Sequence, residues 1–194
     1  MSRQLKVPRL QALNSALIVF WSKGYNATTV DDLQKAIGIQ RGSFYFHFKD
    51  KRTLFFEALD YYKKTVVDVR RDLVRDQTSA KKGIELYFKT LIDHSIKNKA
   101  YSGCLNTNTA TELGLSDAEL ADRLGFGIRS WQKFWEEILQ KAVAQKEISN
   151  KLDVESTAQL LIAMTQGLNV IVKVNSDRKF LEGVVKAGLR VLEL

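Results

Sequence analysis

Proline occurs once in this chain of 194 residues, at Pro8, and cysteine also occurs once, at Cys104. Because proline disrupts helix interiors, its scarcity favours a mostly α-helical chain. A single cysteine excludes a disulfide within the chain and fits a reducing compartment. No apolar run approaches the ~18–20 residues that span a membrane, and the first residues include no apolar stretch typical of a secretion signal. We therefore expect an all-α, cytoplasmic protein.

The chain offers little material for catalysis or metal binding. It contains two histidines and one cysteine, all widely separated in sequence. Motifs of phosphate-binding loops, nucleophile elbows and zinc proteases are missing. The adjacent carboxylates Asp31-Asp32 and Glu136-Glu137 would point about 100° apart on a helix, which suits acid–base partners poorly. We expect no enzyme activity, no catalytic residues, no metal and no cofactor.

The positive charge is concentrated near the start of the chain. Residues 1–52 contain nine Lys or Arg and three Asp, a net charge of +6, out of +8 for the whole chain. Residues 53–194 contain 21 basic and 19 acidic residues, a net charge of +2. Contact with nucleic-acid phosphates would require such a distribution, whereas a solvated basic surface is the simpler alternative.

The stretch 28–51 predicts two short helices around a sharp turn. Two overlapping pairs, Thr28 with Asp31 and Thr29 with Asp32, have the spacing of a capping box at the start of the first helix. The sequence alone does not choose between them.

The second helix of this stretch follows a glycine turn. Gly38 is placed to end the first helix in the left-handed conformation, and the next helix begins near Gln40. Phe44 and Phe48 lie four residues apart and are expected to pack inward together. A short helix that is presented in this way by another helix is a helix-turn-helix, whose second helix enters the major groove of DNA.

This part of the chain resembles the DNA-binding signature of the TetR/AcrR family of transcriptional regulators over roughly residues 9–60. The resemblance rests on Thr28-Thr29, Gly38-Ile39, Tyr45-Phe46-His47-Phe48 and Lys51. It implies a groove-facing surface formed by Gln40, Arg41, Gly42, Ser43, Tyr45, Phe46 and His47. It also implies that Thr29 and Lys51 hold phosphates.

Physical arguments refine the roles of these residues. Arg41 is the best candidate for reading a base, because its guanidinium pairs bidentately with guanine. Lys51 opposes the dipole at the start of the next helix, and a DNA phosphate beside it would compensate. Arg3, Lys6 and Arg9 form either an arm that reaches the DNA or a frayed terminus.

The remainder of the chain predicts further helices, for a total of about nine. A helix over about 50–73 links a DNA-binding domain, residues 1–52, to a domain of residues 53–194. Ser116 and Glu119 form a capping box for a long helix that ends near Lys146. The last two helices are broadly apolar, which indicates association with a second copy of the chain. The family resemblance implies the same homodimer.

Three residues of the second domain are candidates for sensing an effector. Cys104 lies in a segment that resembles one branch of the same family, in which the corresponding cysteine senses electrophiles or oxidants in some members. A position in the first turn of a helix would favour its thiolate, although a free cysteine is more often a small buried hydrophobe. Trp131 and Trp135 either line a small-molecule pocket or form ordinary core.

We therefore expect a homodimeric, helix-turn-helix transcriptional regulator, acting as a repressor that a small molecule, electrophile or oxidant releases from a pseudo-palindromic DNA operator. The second domain would bind the effector and form the dimer. The alternative is a helical small-molecule-binding protein whose basic half docks RNA or an acidic partner. The sequence does not identify the effector or the operator, and it does not distinguish repression from activation.

Overall fold

The computed structural model describes residues 7–101 and 103–193, in which every regular element is a helix. The chain divides into two compact units, one that ends at Asp68 and one that begins at Val69. The functional division that we expected between residues 52 and 53 stays a prediction. No helix of the described residues is long and apolar enough to cross a membrane.

The first unit contains four α-helices followed by a π-helical segment. The helices are α1 (Arg9–Lys23), α2 (Val30–Ile37), α3 (Arg41–Phe48) and α4 (Lys51–Tyr62), and the π-helical segment is Lys63–Val67. Aromatic side chains fill the core, where the rings of Phe20 and Phe55 meet edge to face at 4.9 Å. Leu10 has the three-residue spacing to the buried Leu13, but it lies in the first turn of α1 and is 66% exposed.

The second unit is built from six α-helices. They are α5 (Asp68–Arg75, whose first residue closes the first unit), α6 (Ala80–Lys97), α7 (Leu105–Leu113), α8 (Ala118–Ala144), α9 (Val154–Ile171) and α10 (Arg178–Leu189). Short 3-10 helices occupy Lys99–Tyr101 and Arg190–Glu193. Residues 51–75 are helical throughout, so counting them as one helix gives nine helices in the described residues, as expected.

The core of the second unit is an aromatic cluster between α6 and α8. The ring of Tyr87 meets that of Trp135 at 4.9 Å, and Phe88 stacks on Trp135 at 6.4 Å. Such contacts add specific geometry to the large apolar area that these side chains bury.

The start of α8 differs from the expected capping box. Asp117, not Ser116, is the N-cap, and its carboxylate accepts a hydrogen bond from the Leu120 N–H at 3.1 Å. Ser116 instead donates its hydroxyl to the Leu113 carbonyl at 3.3 Å. A carboxylate next to the positive end of a helix gains from the dipole as well as from the hydrogen bond, which favours aspartate at this position.

Candidate nucleic-acid interface

A capping box on Thr29 and Asp32 fixes the start of α2. The Thr29 hydroxyl accepts from the Asp32 N–H at 3.1 Å, and the Asp32 carboxylate accepts from the Thr29 N–H at 3.0 Å. Thr28 is buried and donates to the Gly24 carbonyl, so it is not the cap. The ammonium of Lys23, 2.7 Å from Asp32, and the hydrogen bonds from Thr29 hold the pKa of that carboxyl below its usual range. The negative charge of Asp32 is therefore partly compensated within the protein.

The turn between α2 and α3 depends on a glycine. Gly38 has φ 78° and ψ 36°, and its N–H donates to the Gln34 carbonyl at 2.8 Å. An L-residue rarely adopts this left-handed conformation, which explains the glycine. After the turn Gln40 is the N-cap of α3, but no side chain of the described residues caps this end. The first N–H groups of α3 are thus able to donate hydrogen bonds to an anion such as a DNA phosphate.

One contiguous face of α3 is exposed. At 100° per residue, Arg41, Gly42, Tyr45, Phe46 and Lys49 share one side, and all five are exposed. Tyr45 is 43% and Phe46 is 63% exposed, whereas Phe44 and Phe48 are buried on the opposite side. The Arg41 guanidinium lies 5.9 Å from the centre of the Tyr45 ring, so the two side chains lie together on this face.

Two of the residues that were expected to face the DNA groove lie at the edge of the exposed face of α3. Ser43 and His47 are half-buried, on the border between the exposed and buried sides of α3. The Nε2 atom of His47 is buried and has no hydrogen-bond partner among the described residues. His47 is consequently less suited to contact DNA than Tyr45 or Phe46, and its expected role stays a prediction.

Lys51 makes contacts within the first unit that differ from the expected ones. Its ammonium donates to the carbonyls of Tyr25 and Thr28, each at 3.0 Å, and lies 4.2 Å from the centre of the Tyr25 ring. These groups compensate the lysine at the start of α4, where we expected a DNA phosphate to do so. A lysine ammonium has three donors, so one N–H remains for a phosphate.

Arg9 also has partners inside the first unit and does not form part of a free arm. Its guanidinium contacts Glu57 at 2.5 Å and the His47 carbonyl at 3.2 Å, and it lies 4.9 Å from the centre of the Phe48 ring. These contacts connect α1 to α3 and α4. Arg3 and Lys6 lie outside the described residues.

Lys49 is a basic residue of the exposed face that was not predicted from the sequence. It follows α3 as its C-cap, with φ 64° in the left-handed region. Its position eight residues after Arg41 and four after Tyr45 was a sufficient signal, since helical residues at these spacings share a face.

Cys104 is the N-cap of α7 and does not lie in the first turn of that helix, where we expected it. Its backbone is extended, with φ −126° and ψ 130°, and the residue is half-buried. Gly103 before it has φ 80°, and a Cβ there would lie 2.5 Å from the Asn169 carbonyl oxygen. Gly103 is therefore tightly packed against α9. Ser102 lies outside the described residues.

The two candidate tryptophans differ in burial. Trp135 is 1% exposed and belongs to the core, whereas Trp131 is half-buried and stacks on Trp135 at 5.8 Å. The guanidinium of Arg71 covers the Trp131 ring at 4.4 Å. Contact of either tryptophan with an effector stays a prediction.

A groove of about 590 Å³ runs between α6 and α10. It is lined by Gln77, Lys82, Glu85, Leu86, Lys89, Ile92, Glu182, Val185, Lys186, Leu189 and Glu193. Charges of both signs surround an apolar floor, and the candidate effector residues lie elsewhere. Within the described part of the chain no three His, Cys, Asp or Glu residues are grouped so as to hold a metal ion.

Comparison with known proteins agrees with this geometry. Residues 12–58 match the family model described as "Bacterial regulatory proteins, tetR family", and residues 80–187 match "Tetracyclin repressor-like, C-terminal domain". The HTH-type transcriptional repressor ComR of Escherichia coli is 25% identical over 181 residues, which are 93% of this chain and 86% of ComR.

Solved structures show the same similarity over the whole chain. A cysteine mutant of the TetR family transcriptional regulator CifR, complexed with 26 bp double-strand operator DNA, is 26% identical, with a TM-score of 0.87 over 97% of this chain and 98% of CifR. A TetR family regulator from Cytophaga hutchinsonii is 25% identical, with a TM-score of 0.85 over 95% of this chain and 92% of that protein. The helix-turn-helix unit, the helical second unit and both family matches establish that this chain belongs to the TetR family of transcriptional regulators.

Proposed function

We propose that this chain is a cytoplasmic, homodimeric repressor that binds a pseudo-palindromic operator through α3 and is released by an effector in its second unit. The exposed face of α3 carries this proposal. It carries a guanidinium, a phenol and an ammonium, from Arg41, Tyr45 and Lys49, and Arg41 lies at the uncapped start of the helix. These are the groups that contact base edges and phosphates in helix-turn-helix complexes.

The operator complex of CifR supports the same mode of binding for this chain. In this proposal Arg41 reads a base, and Gly42 lets the backbone of α3 approach the groove. Tyr45 and Phe46 contact the groove, and Lys49 binds phosphate. Further contacts with DNA would come from the ends of α2, α3 and α4, where Thr29, Gln40, Ser43 and Lys51 lie.

The dimer would form through α9 and α10. Apolar or small side chains are exposed on both helices and in the turn after α9, namely Leu160, Ala163 and Val170 of α9, Val174 of the turn, and Phe180 and Ala187 of α10. Gly167 and Gly183 lie on the same helices, and a Cβ added to either would meet nothing within 4 Å. A glycine inside a helix costs ~1 kcal/mol relative to alanine, so two open glycines suit close approach of a second copy.

The effector would act on the second unit by favouring a conformation that binds the operator less well. Cys104 at the start of α7 and Trp131 and Trp135 on α8 stay the proposed contacts, with an electrophile or oxidant at Cys104 as one option. An effector shifts the operator equilibrium only through its different affinity for two conformations. The proposal includes no enzyme activity and no cofactor.

Mapping of bound DNA across the source genome, followed by footprinting on purified operator, tests the proposal. We expect protection with two-fold symmetry and half-site centres about one helical turn, ~34–36 Å, or a multiple of it, apart. Binding of RNA or an acidic protein without sequence-specific duplex binding would overturn the proposal and favour a helical small-molecule-binding protein.

A further inference from the structure

The Thr29 hydroxyl, which was expected to hold a phosphate, already uses its hydrogen inside the protein. It donates to the Asp32 carboxylate at 2.8 Å and accepts from the Asp32 N–H at 3.1 Å. A threonine hydroxyl has one hydrogen to donate, so none remains for a phosphate oxygen. Thr29 therefore supports the start of α2, where a phosphate would instead meet backbone N–H groups of the first turn.

The same capping box places a negative charge at the start of α2. Asp32 is ionised at neutral pH, because Lys23 and Thr29 hold the pKa of its carboxyl below the usual range. A carboxylate repels a phosphate, and the repulsion grows as the distance between the two groups falls. Asp32 thus stabilises α2 but, if its charge were uncompensated, would disfavour the approach of DNA to the start of that helix.

Lys23 supplies a compensating charge from another helix. Its ammonium lies 2.7 Å from the Oδ1 atom of Asp32, and the two side chains are 49% and 26% exposed. Lys23 is the last residue of α1, where the negative end of the helix dipole also favours a cation. Because an ion pair this exposed adds little to stability, its main consequence is the charge that it removes from the start of α2.

We propose that Lys23 is a positioning residue for operator binding, which acts by cancelling the charge of Asp32 where α2 meets the DNA backbone. Asp32 keeps its hydrogen bonds in the capping box, while the pair that it forms with Lys23 has no net charge. The start of α2 then approaches a phosphate without an uncompensated carboxylate beside it. This inference rests on the proposed function, since it concerns the same contact with DNA.

Fluorescence anisotropy with the purified full-length protein tests the proposal. The probes are the operator duplex recovered by genome mapping and a random-sequence duplex of the same length. Lys23→Met should weaken operator binding roughly tenfold at ~50 mM salt, because an unpaired carboxylate then lies near a phosphate in each half-site. The loss should shrink towards ~200 mM salt, since salt screens this repulsion.

A second substitution separates the charge of Asp32 from its hydrogen bonds. Asp32→Asn in the Lys23→Met background should restore most of the lost affinity, since asparagine keeps an acceptor for the Thr29 N–H and removes the charge. Lys23→Arg keeps the positive charge and should bind as the wild type does. Thermal unfolding checks that each variant is folded at the temperature of the binding assay.

Lys63→Met is the matched control. It breaks a similar exposed ion pair in the segment after α4, where the Lys63 ammonium lies 3.0 Å from Asp68, and it should leave operator binding unchanged.

Wild-type affinity in Lys23→Met, or no recovery on adding Asp32→Asn, overturns the proposal. A loss of the same size at every salt concentration also overturns it and assigns Lys23 to the fold alone. Equal affinity of the wild type for the operator and the random duplex would contradict the proposed function. Recovery by Asp32→Asn on both duplexes would in that case leave the role of Lys23 standing.

Discussion

Lys51 and Tyr25 are joined by two contacts, a hydrogen bond of 3.0 Å from the lysine ammonium to the tyrosine carbonyl and a distance of 4.2 Å from the ammonium to the tyrosine ring. With the second hydrogen bond to the Thr28 carbonyl, the side chain fixes the start of α4 to the loop before α2. The residue expected to hold a phosphate thus also supports the helix-turn-helix itself.

Replacing Lys51 by alanine should therefore lower the free energy of unfolding as well as operator affinity. Loss of two charge-assisted hydrogen bonds at a half-buried position predicts a destabilisation of about 1–3 kcal/mol, which urea unfolding measures. Lys64→Ala, at an exposed position, is the control and should change little. Unchanged stability in Lys51→Ala would show that the contacts to the loop contribute nothing.

The salt dependence of binding shows whether Lys51 also contacts phosphate. Loss of one phosphate contact flattens the slope of log K against log salt by roughly one unit, equally for all duplexes. We expect this flattening, per half-site, for Lys51→Ala. The slope would be measured between roughly 50 and 200 mM salt. A lower affinity with an unchanged slope would assign Lys51 to positioning alone.

Alanine variants of Arg41 and Lys49 should distinguish base recognition from phosphate binding on the same face of α3. Arg41→Ala should cost about 1–3 kcal/mol per base contact and relax the preference at one position of each half-site. Lys49→Ala should weaken binding to every duplex alike. Binding to a library of operator variants measures both effects, and the opposite pattern would exchange the two roles.

Local features of the helix-turn-helix were predictable, because their partners lie within four residues. The alternatives for the capping box, the glycine turn at Gly38 and the inward pair Phe44 and Phe48 all follow from helix geometry. The partners of Arg9 and Lys51 did not follow, since Glu57 and Tyr25 lie 48 and 26 residues away. The partners of long, flexible arginine and lysine side chains are set by how the helices pack, which helix spacing alone does not predict.

The second unit was less predictable for a related reason. The periodic pattern of α8 places Trp131 and Trp135 one turn apart, but it does not distinguish the buried ring from the half-buried one. The partners from other helices decide it, since Phe88 of α6 stacks on Trp135 whereas the charged guanidinium of Arg71 of α5 covers Trp131. Similarly, Ser116 and Asp117 both have the chemistry of an N-cap, and the better acceptor next to the dipole takes the position.

The dimer should depend on the open glycine of α9. Gly167→Glu places a charge where a second copy is proposed to approach, and it should give a monomer in sedimentation at micromolar concentration. Gly127→Glu is the matched control, because a Cβ at this helical glycine of α8 also meets nothing within 4 Å. It should remain a dimer, whereas dimers of both variants would place the interface elsewhere.

Stability should fall in acid partly because of His94, whose pKa burial lowers to about 4 from 6.5. Between these pH values the unfolded chain binds a proton that the folded chain does not, so the contribution is intact above pH 6.5 and is lost as the pH falls towards 4. Because solvent screens a half-exposed ring, we expect a loss of about 1–2 kcal/mol, below the full value of the shift. Urea unfolding of wild type and His94→Gln at several pH values measures it. Parallel pH profiles would assign the acid sensitivity to other groups.

The last prediction concerns Cys104, which is the N-cap of α7 and the one cysteine of the chain. Alkylation by N-ethylmaleimide would add bulk beside Gly103, where the chain already packs against the Asn169 carbonyl. Overpacking of this kind costs about 1–3 kcal/mol in the packed conformation, enough to shift a balanced dimer tenfold or more. A mild oxidant should act through sulfenic acid or a mixed disulfide, because the chain has no second cysteine to resolve it.

We therefore expect alkylation or mild oxidation to release the wild-type dimer from its operator. Cys104→Ser should bind the operator normally, and neither reagent should release it. A mobility-shift assay measures the release, and mass spectrometry measures the modification of the protein. Release of the serine variant by the reagents, or a thiol that does not react in the folded dimer, would leave Cys104 as packing and the effector as a reversible ligand.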